Sequence, residues 1–191
     1  MGFRLTPIFI KSEIPKSDKE ILDTFGLSNL KKGKMVDFYD TNKQWENVFI
    51  GTKENCKILC NGELANKAFE DENLFLNLEN TEITSIIWNE TSDEFGFSLI
   101  KDGKIIRKIM VSDGEFKYDY GNPIPEESEI KDDEIFEPEE KEEIIEGEGE
   151  EVFKEMVKAE KVCRVANILA KRYIGVGIVE IQERIELAEY E

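Results

Sequence analysis

Four segments in which apolar and polar residues alternate constrain the fold more than any other feature of this sequence. They cover residues 83–90, 94–101, 104–111 and 115–120. Asp102-Gly103 and Asp113-Gly114 separate the last three segments, and a short polar stretch separates the first two. Asp-Gly between alternating runs is the strongest short signal for a two-residue hairpin turn. The pattern therefore predicts an antiparallel meander of four strands.

Aromatic and apolar residues at every second position define the faces of the predicted meander. One set consists of Phe95, Phe97 and Leu99, and the other of Phe116, Tyr118 and Tyr120. Residues two apart in a strand share a face, so the members of each set are expected to pack together. We interpret both sets as core and not as a platform on which bases stack.

The residues before the meander indicate further strands and two helices. Strands are expected at 3–11, 35–39, 47–52 and 56–60, with Pro7 indicating an edge strand or a bulge in the first. Ser17 and Glu20 form a capping-box pattern, which starts a short helix that Gly26 ends. A second short helix is predicted over Gly62–Glu70.

The C-terminal part of the chain is predicted to be helical. Residues 150–173 have acidic residues at the start, basic residues at the end and Gly175 in position to cap a helix. Their apolar stripe consists of Phe153, Met156, Val157, Cys163, Ala166, Ala170 and Tyr173. A second short helix is expected through Ile178, Ile181, Ile185 and Ala188. The fold class is thus α+β, an antiparallel meander sheet packed with two or three helices that include a long C-terminal helix.

Negative charge is concentrated in one stretch. The net charge is −18, and residues 126–151 contain fifteen Asp or Glu and two Lys, a net of −13 that leaves −5 for the rest of the chain. Such a block is typical of a solvated linker or strap, or of an acidic docking surface, and Pro138 excludes one continuous helix across it. We expect one domain in all, with an α+β body over 1–125, an acidic linker or strap over 126–149 and a helical segment over 150–191.

The sequence contains no histidine, which excludes Ser-His-Asp and Cys-His catalysis and His-ligated metal sites. Cys56 and Cys60 lie four residues apart in a predicted strand, about 13 Å from one another. A disulfide needs Cα atoms within about 7 Å, so these residues and Cys163 are interpreted as buried thiols in a reducing compartment. These patterns predict no cofactor and no metal site.

The acidic block and the missing catalytic motifs favour a non-enzymatic protein that binds or inhibits a basic partner, as immunity proteins and nucleic-acid mimics do. The candidate partner-binding residues are Glu126, Glu127, Asp132, Asp133, Glu134, Glu139, Glu140, Glu142 and Glu143. Direct nucleic-acid binding is disfavoured because phosphate contacts need a positive surface. Arg107 lies in one of the few basic clusters and is interpreted as the cross-strand partner of an acidic residue, not as a ligand contact.

Two alternatives remain open from the sequence. One is an enzyme of unknown class that works with carboxylates or an oxygen-liganded metal, for example around Asp37, Asp40 and Glu46. The other is a structural or assembly subunit whose acidic strap packs on a neighbouring copy, and the sequence favours no oligomeric state. Because no apolar run approaches the roughly 18–20 residues that span a bilayer, we expect a cytoplasmic protein without membrane contact.

Two stretches also resemble a family of uncharacterised bacterial proteins. The first runs from Phe95 through Asp102-Gly103 and Arg107 to the segment GNPIPEE at 121–127, and the second is GEGEEVFKEMVKAEKVCRVANILAKRYIG. The family has no assigned activity, so the resemblance carries no functional residue to this chain. It implies a bacterial cytoplasmic protein of one α+β domain, with an acidic insertion longer than is usual in the family.

Overall fold

Ten strands and five α-helices are formed by the residues that the computed structural model describes, which are 3–14, 16–71, 74–75, 78–178 and 185–191. The strands are β1 (Arg4–Leu5), β2 (Pro7–Ser12), β3 (Lys32–Asp37), β4 (Val48–Lys53), β5 (Cys56–Cys60), β6 (Thr81–Asn89), β7 (Glu94–Lys101), β8 (Lys104–Ser112), β9 (Glu115–Gly121) and β10 (Glu186–Tyr190). The helices are α1 (Asp18–Thr24), α2 (Gly62–Glu70), α3 (Pro125–Ser128), α4 (Pro138–Glu148) and α5 (Glu150–Ile174), with 3-10 turns at Phe38–Lys43 and Asp132–Glu134.

All ten strands belong to one open antiparallel sheet. Its order is β3-β10-β4-β5-β2-β6-β7-β8-β9, and β1 pairs with β6 beside β2. The predicted meander, β6 to β9, forms one half of this sheet. The α+β class and the long helix near the C-terminus are confirmed.

Both faces of the sheet are covered, which explains why the central strands are buried along nearly their whole length. In β2, for example, Phe9 points into a cluster with α5, whereas Ile8 and Ile10 point into a second cluster with α1 and α2. Alternate side chains leave a strand on opposite faces, so a strand covered on both sides needs apolar residues at consecutive positions. The protein is therefore layered, with α5 on one face of the sheet and the two short helices on the other.

Local sequence signals predicted several elements correctly. Asp102 and Asp113 take positive φ (50° and 51°), as do the glycines that follow them, which is the conformation that two-residue hairpin turns require. Ser17 caps α1: its hydroxyl accepts from the Glu20 N–H (3.2 Å), and the Glu20 carboxylate accepts from the Ser17 N–H (2.7 Å). The structure also confirms the helix over Gly62–Glu70 and the strand over Cys56–Cys60.

The chain ends in a strand, so the second C-terminal helix was a wrong prediction for residues 186–190. β10 pairs with β3 on one side and β4 on the other, one strand in from the edge of the sheet. Leu187 packs into the α5 cluster and Ala188 into the opposite cluster, which is the period of a strand buried on both faces. The edges of β3 and β4 offer backbone hydrogen-bond partners to this segment. The helical spacing of its isoleucines gave no sign of these partners. Part of that pattern, including Ile181, lies outside the described residues.

Two predictions about β9 are corrected by the structure. Phe116 and Tyr118 pack on opposite faces, because Lys117 is an extra residue in a bulge opposite Met110 and Val111. Tyr120 is exposed and is not core.

At the N-terminus, Pro7 lies in an interior strand, not at an edge. It is tolerated because it is the first residue of β2. The strand predicted at 35–39 is shifted to 32–37 because Asp37 caps a 3-10 turn by accepting from the Tyr39 N–H (3.0 Å).

Candidate partner-binding surface

Two helices that meet at Gly149 form the surface with most of the negative charge. α4 begins at Pro138, whose missing N–H is no loss in a first helical turn, and the Glu140 carboxylate accepts from the Glu137 N–H (3.1 Å). Gly149 has a φ of 95°, a backbone conformation that favours glycine, and it separates α4 from α5. We call residues 132–161, which contain α4 and the first half of α5, the acidic arm.

Aromatic and basic side chains hold α4 against α5. The rings of Phe136 and Phe153 lie 5.7 Å apart, and Lys141 Nζ lies 5.5 Å from the centre of the Phe153 ring. Further along α5, Arg164 donates a hydrogen bond to the carbonyl oxygen of Ile135 (2.7 Å). The acidic stretch therefore folds back on the long helix.

α4 is an unusually anionic helix. Its eleven residues include six glutamates and one lysine, and all seven charged residues are exposed. Glu139 is three and four residues from Glu142 and Glu143, so these carboxylates stand on neighbouring turns of one helix. None of these three has an ion pair with any residue that the structure describes. Like charges at this spacing destabilise a helix by about 0.2–0.5 kcal/mol per pair.

Two of the candidate partner-binding residues, Glu126 and Glu127, point into the protein. Glu126 is 9% exposed and accepts from Arg172 of α5 (2.8 Å). Arg172 also donates to Glu82 of β6 (2.6 Å). Glu127 accepts three hydrogen bonds from Arg107, two from Nε and one from Nη2, and a further one from the Ile124 N–H (2.8 Å). Their carboxylates thus anchor α3 to the sheet and to α5.

Arg107 is a buried cation with two carboxylate partners. It is 5% exposed, it donates to Asp119 of β9 (2.5 Å) and to the carbonyl oxygens of Tyr120 and Gly121, and it binds Glu127 through Nε and Nη2. Burial by itself would lower the pKa of Arg107, but hydrogen bonds to the two carboxylates raise it above its ordinary value. The interpretation as a cross-strand partner is confirmed for Asp119. Glu127 was missed, because nothing local in the sequence links α3 to β8.

The other candidate residues all lie on the outside. Asp132 pairs with Lys161 of α5 (2.8 Å) and Glu134 pairs with Lys131 (2.5 Å). Asp133 is exposed beside them. The arm thus brings together seven of the nine candidate residues, namely Asp132, Asp133, Glu134, Glu139, Glu140, Glu142 and Glu143.

Two of the three residues considered for catalysis, Asp37 and Asp40, have local structural partners, and Glu46 is exposed. Asp37 caps a 3-10 turn and Asp40 pairs with Lys43 (2.6 Å). The described residues contain no group of three or more carboxylates or thiols that could hold a metal ion. Cys56 and Cys60 are free thiols in the core, and burial raises the pKa of each to about 12.

A groove of about 330 Å³ lies where the acidic arm meets the turns of the meander. Its apolar lining includes Phe95, Phe136, Val152, Met156, Ala159 and Cys163. Met156 and Val152 are 39% and 38% exposed, although Met156 belongs to the stripe predicted to face the core. The sequence did not indicate this groove, because the stripe of α5 continues past the end of the surface that covers it.

No helix in the described part of the chain is both long and apolar enough to span a membrane. Comparison with protein-family models, with curated proteins and with solved structures finds no match to this chain.

Proposed function

We propose that this is a non-enzymatic binding protein that engages a basic protein partner through the acidic arm. The observation that carries the proposal is α4, an ordered helix with six exposed glutamates and a single lysine. A protein surface of one sign attracts partners of the other sign and speeds their association, more strongly at low salt.

Self-repulsion within α4 adds a second reason. Glu139, Glu142 and Glu143 repel one another across neighbouring turns of the helix. Lysines or arginines of a partner placed over these carboxylates would remove that repulsion and add attraction. The free helix therefore gains stability on binding a basic surface and gains none on binding a neutral one.

The proposed surface excludes Glu126 and Glu127. Their carboxylates already accept hydrogen bonds from Arg172 and Arg107, so they are not available to a partner without breaking buried ion pairs. The exposed carboxylates of α4 form no ion pair with any residue that the structure describes.

The test is binding of a fluorescently labelled lysine- and arginine-rich peptide, followed by anisotropy as salt is raised. The variant Glu139→Gln/Glu142→Gln/Glu143→Gln/Glu146→Gln keeps four good helix formers of nearly the same shape and removes four charges. At about 0.3–0.5 kcal/mol for each exposed ion pair, it should bind about tenfold more weakly than the unaltered protein.

A matched variant shows whether peptide binding depends on the acidic arm or on the net charge of the whole protein. Asp23→Asn/Glu54→Gln/Glu70→Gln/Glu79→Gln removes four exposed carboxylates outside the arm. Its affinity for the peptide should be within about twofold of that of the unaltered protein, because salt screens the field of each exposed charge beyond its immediate surroundings. Equal losses in the two variants would show that the peptide senses only net charge, and the proposal would then be abandoned.

A further inference from the structure

We infer that the groove beside the acidic arm binds the apolar face of a basic amphipathic helix. The inference rests on the proposed function and specifies the partner: a segment with lysines or arginines on one face and large apolar side chains on the other.

The apolar residues that α5 contributes to the groove form a stripe. Val152, Met156, Ala159 and Cys163 follow one another at spacings of four, three and four residues. At 1.5 Å per residue the stripe is about 16 Å long, the length of three helical turns. A partner helix that presents apolar residues at i, i+4 and i+7 covers such a stripe.

Met156 and Val152 are apolar side chains without a full covering. They adjoin Phe95 of β7 and Phe136, so the exposed apolar surface is continuous and concave rather than scattered. Methionine is flexible and polarisable, and it adapts to side chains of different shape. These properties suit a surface that receives an anchor residue from a partner.

The rim of the groove is acidic. Asp93, Glu155 and Glu160 line it, and none of the described residues that line it is Lys or Arg. Glu160 pairs with Arg164 (3.1 Å), whereas Asp93 and Glu155 have no ion pair with a described residue. Burial, followed by the charges of Glu160 and Asp93, raises the pKa of the Cys163 thiol to about 12. An apolar floor with an anionic rim complements an amphipathic segment whose polar face is cationic.

The groove is also continuous with the proposed binding surface. Phe136 both lines the groove and packs on Phe153 of α5 beneath α4. A basic helix lying in the groove therefore runs beside the glutamates of the arm. Charge would bring the partner to the arm, and the groove would hold it by its apolar residues.

Two peptides of about 18 residues, or five helical turns, test the inference. Both contain the same lysines and leucines, but only one gathers the leucines on a single helical face. The unaltered protein should bind this amphipathic peptide about tenfold more tightly than its scrambled counterpart, which corresponds to removal of roughly 60 Å² of apolar surface from water.

The variant Val152→Gln/Met156→Gln should lose this preference while it still binds both peptides through charge. Met156→Leu should keep it, and the control Met35→Gln/Ile106→Gln alters two exposed apolar residues elsewhere and should also keep it. Far-UV circular dichroism and the thermal midpoint show whether each variant is folded.

The outcomes distinguish the inference from the function on which it rests. If the two peptides bind equally and the four α4 substitutions weaken the binding of both, the inference about the groove is wrong and the proposed acidic surface is retained. If Val152→Gln/Met156→Gln still prefers the amphipathic peptide to the scrambled one, the inference about the groove is also wrong. If neither peptide binds the unaltered protein, both proposals fail.

Discussion

The two halves of α5 belong to one continuous helix but have opposite surroundings. From Val162 to Ile174 most of its apolar residues are buried against the sheet, and Leu169 is fully buried. Before Val162 only Val157 is buried, and the helix supports α4 instead of covering strands. A single helix therefore both closes the core and carries an acidic surface away from it. Stability and partner binding are thus expected to respond to different residues.

Truncation of one apolar residue in each half is the strongest test of this comparison. Leu169→Ala removes a fully buried side chain and should lower the free energy of unfolding by about 3 kcal/mol. Met156→Ala, in the half-exposed part of the same helix, should lower it by about 0.5 kcal/mol or less. Urea unfolding measures both. Comparable losses would mean that the arm is part of the cooperative core, contrary to the comparison.

Ion pairs in the body should contribute more to the free energy of unfolding than ion pairs in the arm. Arg107→Ala leaves Glu127 and Asp119 without their cation and should cost about 3 kcal/mol, because an uncompensated carboxylate remains largely buried. Lys154→Ala removes exposed pairs with Glu150 and Glu151 in the arm and should leave the urea midpoint of unfolding unchanged, because exposed ion pairs contribute little. Arg107→Lys should not restore stability, since an ammonium cannot bind both carboxylates in the same fork.

The smallest expected difference between the body and the arm is in their sensitivity to acid. Burial by itself would raise the pKa of Asp18, but hydrogen bonds from Lys57 (2.5 Å) and Tyr190 (2.8 Å) and the Lys57 charge hold that pKa below its ordinary value. A carboxyl whose pKa is lower in the folded state adds stability above its unfolded pKa of about 3.9, and this stability is lost as the pH falls through the folded pKa. Asp18→Asn should therefore be less stable than the unaltered protein at pH 6, with a difference that shrinks below about pH 4.

The matched change in the arm is Asp132→Asn, which removes an exposed pair with Lys161. Its acid unfolding curve should overlay that of the unaltered protein, because exposed ion pairs contribute little. A difference at pH 6 that is larger for Asp132→Asn than for Asp18→Asn would contradict the assignment of Asp18 to the body.

Much of the fold followed from local signals in the sequence. The meander was predictable because Asp-Gly turns and alternating residues specify a hairpin within a few positions of the chain. α5 was predictable because its stripe, charged ends and Gly175 all agree, and Gly175 takes the left-handed conformation that ends a helix. The same reasoning failed at Lys117, where a single extra residue in β9 moves Tyr118 to the other face of the sheet.

The candidate site was predictable only in part. The sequence located the negative charge, and seven of the nine candidate carboxylates are on the outside of the arm. It did not separate these from Glu126 and Glu127, because their partners Arg172 and Arg107 are distant in the chain. Pairing of a carboxylate with a remote arginine depends on which elements the fold brings together.

By itself the sequence determined the hairpins, the long helix, the acidic block and the absence of histidine chemistry, because each depends on residues that are neighbours in the chain or on composition alone. Only the tertiary structure decided that β10 enters the sheet between β3 and β4, that two glutamates turn inward, and that Val152 and Met156 line an open groove. Open strand edges, buried ion pairs and uncovered apolar surface arise from contacts between distant segments. No local pattern encodes them.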